Sequence, residues 1–469
     1  MDLAGTPVLV AGAGVTGRSV ARALAEAGAD VTVTDGDPTR LSELDGIGVA
    51  LAAGLTSPPE GTRLVVTSPG WRPTAPLLTA AAAEGIEVIG DVELAWRVGQ
   101  GLSRPPTWLA VTGTNGKTTT VGMLEAMLLE AGANAVACGN VGFAVLDAVL
   151  AGHEVLAVEL SSFQLHWSAT LAPLASVVLN VAEDHIDWHG SLAEYAAAKG
   201  KIHRRSGTVV HNLADPWSRR LADEFAPESA SRVGFGHGAP RAGELGVVEG
   251  LLVDRAFGAD PEHGAEELAH LADVRPAGPH NVANALAAAA LARAWGVEPD
   301  SVGRGLRRFR PGAHRAVEVA EVEGVRYVDD SKATNPHAAE GSLLAHPKVV
   351  WIAGGQLKGA SVDGLVATVA GRLRGAVLMG VDSDVVAAAL ARHAPDVPVR
   401  RVGSGDDEPM AVAVNEARAL AIPGDTVLLA PAAASLDMFR DYAERGDAFA
   451  AAVRTLSSDT PRVAGRSDR

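Results

Sequence analysis

An α/β chain of three domains is predicted, on three observations. The chain is long, short apolar strands alternate with helical stretches, and polar glycine-containing turns follow the strands. At 469 residues it has room for about three domains with ample cores. Aromatic residues are few, so those cores must be built largely from Val, Leu and Ala. The boundaries expected are 1–105, 106–311 and 312–457, with a polar, disordered tail at 458–469.

Composition narrows the classes. A formal net charge of −16 argues against a nucleic-acid or anionic-membrane partner, so an anionic ligand would need local basic groups. The single cysteine, Cys138, excludes an internal disulfide and fits a reducing cytosol. The start, Met1-Asp2-Leu3-Ala4-Gly5, lacks the basic region and apolar core of a signal peptide. No apolar run reaches membrane-spanning length, so a cytoplasmic protein without membrane insertion is expected.

The first domain opens with a strand, Pro7 to Ala11, and the turn Gly12-Ala13-Gly14-Val15-Thr16-Gly17. A helical stretch, Ser19 to Ala27, and a second strand, Asp30 to Thr34, lead to Asp35. This is a Gly-x-Gly-x-x-Gly pattern with an acidic residue about where a ribose-binding carboxylate would stand. It fits a dinucleotide, another nucleotide diphosphate, or a Rossmann-like domain that binds nothing. A third strand, Leu64 to Thr67, runs into Ser68-Pro69-Gly70, a tight turn at a carboxyl strand end. Gln100 to Thr107 reads as a linker.

The second domain centres on Gly113-Thr114-Asn115-Gly116-Lys117-Thr118-Thr119, delivered by the strand Trp108 to Val111 and opening a helix over Val121 to Glu130. Glycines let backbone N–H groups approach an anion, the helix start adds positive potential, and Lys117 supplies a charge. Thr118 offers a hydroxyl to magnesium. A bland glycine turn is the competing reading, and the spacing departs from the common P-loop, which would place Gly at Val111. Two further strands end in polar clusters, Glu159-Leu160-Ser161-Ser162-Phe163-Gln164 and Glu183-Asp184-His185-Ile186-Asp187. Carboxylates and an imidazole at neighbouring strand ends suit one or two magnesium ions. Glu159 extends a buried strand, whereas Glu183 and Asp187 fit an acidic surface turn equally well. Lys199, on a helix, reads by default as exposed. Asn281 and Asn284 share a helix face and could meet an adenine edge, or Asn281 could cap the helix. Residues 232–277 read as irregular.

A third α/β unit follows the turn Phe309 to Arg315. Its strands, at Tyr327-Val328, Val349 to Ile352, Ala376 to Met379 and Thr426 to Leu429, precede three polar turns. These are Asp329 to Pro336, Gly354 to Lys358 and Pro431 to Asp437, basic or hydroxyl-bearing clusters suited to a small anionic ligand.

The ordered set of Gly113 to Thr118, Glu159 to Gln164, Glu183-Asp184-His185, Gly278 to Asn284 and His314-Arg315 resembles the Mur ligase family, from about Val8 to about Phe449. The turn Asp330 to Asn335, with Ala430 to Asp437 and Glu444-Arg445-Gly446, resembles the member that adds D-glutamate to UDP-N-acetylmuramoyl-L-alanine. The resemblance implies a Rossmann-like N-terminal domain, a central P-loop-type, mostly parallel α/β ATPase domain, and a Rossmann-like C-terminal domain. It implies a monomeric ligase that uses ATP and magnesium to form an acyl phosphate in peptidoglycan synthesis. By the same resemblance Lys117 contacts phosphates and Thr118 with Glu159 holds one Mg2+. His185 and Lys199 hold a second, with Lys199 carbamylated so that it can ligate. Gly113 to Thr119, Asn281, Asn284, Arg315 and Asp330 would bind ATP. Gly14, Val15, Thr16, Gly17, Asp35, Ser68, Pro69, Gly70, Asn140 and His185 would hold the UDP substrate. Lys332, Thr334, Lys358, Ser435 and Tyr442 would receive D-glutamate, with Tyr442 standing where Phe is familiar. A related amide ligase, including a folylpolyglutamate type, is the nearest alternative. An NAD-dependent oxidoreductase built on Gly12 to Gly17 is the remote one.

Overall fold

The computed structural model describes residues 3–403 and 408–458, and among them three sheets form. They fall into two compact units. The first runs to Val274 and includes Ala283–Phe309; the second comprises Arg275–Val282 and the chain from Arg310 onward. Two sheets therefore share the first unit, and the third lies in the second unit.

The first sheet is parallel, in the order Ala50–Leu51, Asp30–Thr34, Pro7–Ala11, Leu64–Thr67, Glu87–Gly90. Its central strands are buried runs of Val and Leu, as strands covered on both faces must be. Strand order reverses between Pro7–Ala11 and Leu64–Thr67, so the Gly12–Gly17 and Ser68–Gly70 turns leave the carboxyl ends at the switch point. Gly17 permits close packing there, since a Cβ would sit 1.8 Å from the Gly12 carbonyl oxygen.

In the second sheet Thr107–Thr112 lies between Ala175–Val178 and Val155–Glu159, with Ala135–Gly139 at the edge. Register sets Val111 opposite Glu159 and Thr112 opposite Val178, which fixes which loops meet above the sheet. The helix after the phosphate loop spans Lys117–Glu130, starting earlier than the sequence reading. Thr208–Asn212 and Ser231–Phe235 continue the parallel run.

Residues 232–277 are not irregular. Ser231–Phe235, Glu244–Val248, Leu251–Asp254 and Glu266–His270 extend the sheet, the last pairs antiparallel. Glu249 and Gly250 both have positive φ, 49° and 82°, which is the backbone of a two-residue hairpin. The apolar runs flanking Glu249-Gly250 carried that signal. The third sheet runs Val317–Val322, Val325–Asp329, Thr426–Leu429, Val349–Gly354, Leu373–Met379, Val399–Arg401, parallel apart from its first pair. The helix Tyr442–Ser458 takes in Ser458, the first residue of the expected tail, and 459–469 lie outside the described residues. No helix among the described residues is long and apolar enough to cross a membrane.

The first two sheets are joined by buried carboxylates on the helix Asp91–Gln100. Glu93 accepts the N–H groups of Ala169 (2.8 Å) and Thr170 (2.9 Å), the Thr170 hydroxyl (2.6 Å) and the Arg97 Nε (2.8 Å). Asp91 Oδ2 accepts the Gln164 amide at 3.3 Å, and its Oδ1 is buried without a side-chain partner among the described residues. Burial pushes its carboxyl from 3.8 up to about 6. Between these values the folded state holds a proton that the unfolded chain has released, so stability falls as pH rises through that window. Asp91→Asn should remove this dependence. Its melting temperature relative to wild type should climb by a few degrees from about pH 4 to about pH 6; a flat difference would contradict the assignment.

Candidate active site

The phosphate loop is shaped by Gly116, whose left-handed φ of 87° turns the chain into the helix Lys117–Glu130. A Cβ there would meet the Asn284 Oδ1 at 2.3 Å, so the loop closes against the buried amide of Asn284. Lys117, Thr118 and Thr119 form the first turn, where backbone N–H groups lack intrahelical acceptors and favour an anion. Thr114 is buried, and its hydroxyl accepts the Ala182 N–H at 3.0 Å. Asn115 exchanges bonds with Asn180, whose side chain accepts the Asn115 N–H at 2.9 Å and donates to its carbonyl at 3.1 Å.

Beside this loop the Thr118 hydroxyl donates to Glu159 Oε2 at 2.7 Å, while Asn140 Nδ2 donates to Oε1 at 3.0 Å. Glu159 ends its strand directly before a helix, Ser162–His166, fixed by a capping box between Ser161 and Gln164. A buried carboxylate with a threonine hydroxyl is an oxygen set suited to a hard divalent cation. Among the described residues no group of three His, Cys, Asp or Glu could hold a metal unaided.

Lys117 Nζ donates to the Gly113 and Thr114 carbonyls at 3.0 and 2.9 Å. Lys199 is not exposed: it is 1% accessible, and its Nζ donates to the same Gly113 carbonyl at 2.8 Å. It also lies 4.4 Å from the centre of the Tyr195 ring. Burial, and then the charge of Lys117, hold its ammonium well below the usual lysine range. His185 caps the short helix Ile186–His189 with φ 54°, and its ring packs on Phe163 at 4.8 Å and faces Tyr195 at 6.3 Å. Tyr195 thus touches both Lys199 and His185, and its hydroxyl meets the Thr114 hydroxyl at 3.2 Å. His189 also enters here, with Nε2 2.9 Å from the Ser162 hydroxyl; burial and neighbouring cations bring its imidazole down to about 4. Nothing in local sequence marks Tyr195 or His189, whose roles depend on rings gathered from three segments.

At the first sheet, both oxygens of Asp35 are occupied by backbone, Oδ2 by the Ala13 N–H at 2.7 Å and Oδ1 by the Asp37 N–H at 2.9 Å. Asp35 therefore braces the Gly12–Gly17 turn. Gly14, Val15 and Thr16 stand at the start of the helix Val15–Glu26, Val15 largely exposed. Across from them the Ser68 Oγ is buried without a partner, beside Pro69 and Gly70.

In the second unit three turns meet because Val325–Asp329, Thr426–Leu429 and Val349–Gly354 are adjacent parallel strands. Ala432 N–H donates to the Ala333 carbonyl at 2.9 Å, and Gln356 and Ala434 exchange backbone bonds at 2.9 and 3.0 Å. This gathers the turns carrying Lys332 and Thr334, Lys358, and buried Ser435. Lys332 Nζ sits 3.7 Å from the centre of the Tyr442 ring. Lys358 is exposed in a left-handed backbone, φ 54°. Asp330 accepts the Ala316 N–H at 3.1 Å, and burial raises its carboxyl to about 6, with Arg315 acting in the opposite sense. His314 Nδ1 lies 2.6 Å from Asp329 Oδ2. Arg445, quoted from the sequence only as a resemblance marker, is buried and donates to the Ser331 hydroxyl (3.0 Å) and carbonyl (2.9 Å) and to the Ala433 carbonyl (3.1 Å). Asn281 lies within the helix Pro279–Trp295, past its first residue, so it does not cap it; it and Asn284 are both buried.

The Mur ligase middle domain matches residues 111–292, and the MurD-like N-terminal domain of Mur ligases matches residues 6–90. The chain belongs to the Mur ligase family. A Thermobifida fusca protein named UDP-N-acetylmuramoylalanine--D-glutamate ligase is 58% identical over 97% of this chain and 100% of its own. A Streptomyces coelicolor protein of the same name is 55% identical, covering 97% and 99%. The solved UDP-N-acetylmuramate-alanine ligase of Thermotoga maritima shares the fold, with a TM-score of 0.57 at 20% identity over 97% of this chain and 99% of that one.

The closed geometry at Gly116 can be tested against a second left-handed glycine. Gly132, φ 84°, has open space around a Cβ, whereas Gly116 faces Asn284. Gly132→Ala should cost only backbone strain, roughly 1 kcal/mol, and Gly116→Ala at least twice that. Equal losses in denaturant melts would refute the close contact.

Proposed function

We propose that this chain is the ATP-dependent ligase that joins D-glutamate to UDP-N-acetylmuramoyl-L-alanine, in the cytoplasmic synthesis of peptidoglycan precursors. The contact of Thr118 with Glu159 beside the phosphate loop carries this reading, together with near full-length likeness to relatives of that name. Along the chain, residues 1–105 would serve the UDP substrate, 106–311 ATP, and 312–457 the amino acid.

Carboxylates do not acylate amines in water, so the L-alanyl carboxylate is first activated. Its oxygen attacks the γ-phosphorus of ATP, ADP leaves, and an acyl phosphate remains. The D-glutamate amine then attacks the carbonyl carbon, and the tetrahedral intermediate expels phosphate to leave the amide. Most of the catalysis is alignment and neutralisation of phosphate charge. The N–H groups at Lys117–Thr119 and the Lys117 ammonium face the β- and γ-phosphates. Thr118 and Glu159 would hold Mg2+, whose charge shields the same phosphates. Asn281 and Asn284 meet adenine, and Arg315 with Asp330 the ribose and phosphates. Asn140 fixes Glu159 and contacts the muramoyl portion with His185. In the first domain, Gly14–Gly17 and Ser68 take the diphosphate and uridine. Lys332, Thr334, Lys358 and Ser435 bind the D-glutamate carboxylates, and Tyr442 positions Lys332.

A second Mg2+ would fall to His185 and Lys199. A lysine ammonium cannot ligate a cation, so Lys199, whose neutral amine burial favours, is inferred to lose its ammonium proton, add CO2 at Nζ and release a second proton, forming a carbamate. Its burial and its lack of an ion-pairing carboxylate among the described residues support this. Isotopically labelled bicarbonate should give a carbamate resonance in the intact enzyme that Lys199→Arg abolishes. A spectrum without it would remove the second ion's proposed ligand.

The acceptor is tested with ATP, Mg2+ and UDP-N-acetylmuramoyl-L-alanine. Phosphate release should be about tenfold or more faster with D-glutamate than with L-glutamate, L-lysine or D-alanine. Equal release with L-glutamate would overturn the assignment.

A further inference from the structure

Asp187 belongs to the turn that carries His185, and its sequence is equally consistent with a metal ligand and a surface acid. The structure answers its carboxylate differently. Arg72 Nη2 donates to Asp187 Oδ2 at 2.9 Å and Nη1 donates to the Asp187 carbonyl at 3.1 Å, across 115 residues. Arg72 follows Ser68-Pro69-Gly70-Trp71, the turn at the switch point of the first sheet. One guanidinium thus spans the nucleotide-substrate turn and the His185 turn, which lie in one compact unit.

The His185 turn needs outside support. The helix Ile186–His189 is four residues long, buries none of them, and begins from a left-handed His185. A single turn of that length does not hold itself, and a non-glycine left-handed residue persists only where surroundings fix it. His189 meets the Ser162 hydroxyl, and Trp188 packs on Phe163 and His166, with ring centres 4.9 and 5.1 Å apart. Those supports come from the helix Ser162–His166, in the same domain. Arg72 adds a support from the first sheet's side. Both partners are largely exposed, so the pair adds little to global stability. Its effect is on where His185 stands.

We propose that Arg72 is a positioning residue: by gripping Asp187 it couples filling of the Ser68–Gly70 turn to the placement of His185. This rests on the ligase reading for the identity of the substrate, but not for the grip itself. By linkage, substrate that orders the turn orders His185, and loss of the grip weakens substrate binding.

The test is a charge-swap cycle in the full chain: Arg72→Glu, Asp187→Arg and the double variant. Each single variant should raise KM for UDP-N-acetylmuramoyl-L-alanine about two- to fivefold with little change in KM for ATP. The double variant should lie closer to wild type than either single one. Single variants matching wild type, or a double variant no better than the singles, would overturn the proposal. Hydrogen exchange of the unliganded proteins provides a readout independent of activity. Amides of residues 185–190 should exchange faster in Arg72→Glu than in wild type, and unchanged exchange would refute the grip. A wild-type protein inert toward D-glutamate would defeat the ligase reading alone and leave the exchange result to decide this one.

Discussion

Two lysines donate to one carbonyl oxygen. Lys117 and Lys199 both reach the Gly113 oxygen, at 3.0 and 2.8 Å, one from the start of the helix Lys117–Glu130 and the other from the helix Leu192–Gly200. Like charges this close repel strongly in a water-poor site, so an anion or a neutralised lysine is the stable solution. The surrounding architecture follows from that constraint. Gly116 folds the loop tightly enough to present the carbonyl, Tyr195 covers Lys199, and sheet register places Glu159 beside Thr118. The loop suits phosphate because two cations converge on one of its carbonyls.

Much of this could be seen in the sequence because it is local. Apolar runs ending in polar turns gave the strands Pro7–Ala11, Thr107–Thr112, Val155–Glu159 and Thr426–Leu429 with small errors at their ends. The phosphate loop needs only glycine placement and a following helix. The hairpin at Glu249-Gly250 is weakly marked, because its apolar runs are short and charged at their margins. Lys199 was misjudged as exposed because its burial depends on Tyr195 and Gly113, the latter 86 residues away. Arg72 and His189 carry no local signal, and Arg445 only its place in Glu444-Arg445-Gly446: each acts on a partner that only folding supplies.

The second unit illustrates the same division. Three polar turns were visible as separate clusters, but their convergence follows from strand order, in which Thr426–Leu429 inserts between two strands earlier in sequence. Arg445 then ties Ser331 to Ala433, a buried cation satisfied by carbonyl and hydroxyl oxygens. Burial lowers its guanidinium to about 10, which still leaves it charged near neutrality.

The ammonium of Lys332 resting on the Tyr442 ring has a consequence beyond its cation–π energy. A lysine normally surrenders much torsional freedom when it meets a ligand; here the ring has already restricted it. With Lys332 stilled, and Ser435 and Thr334 held in turns that follow neighbouring strands, the turns offer three fixed points rather than three mobile ones. Three fixed points are the least that can tell a molecule from its mirror image, so under the proposed ligase reading handedness would be read by rigidity as much as by charge.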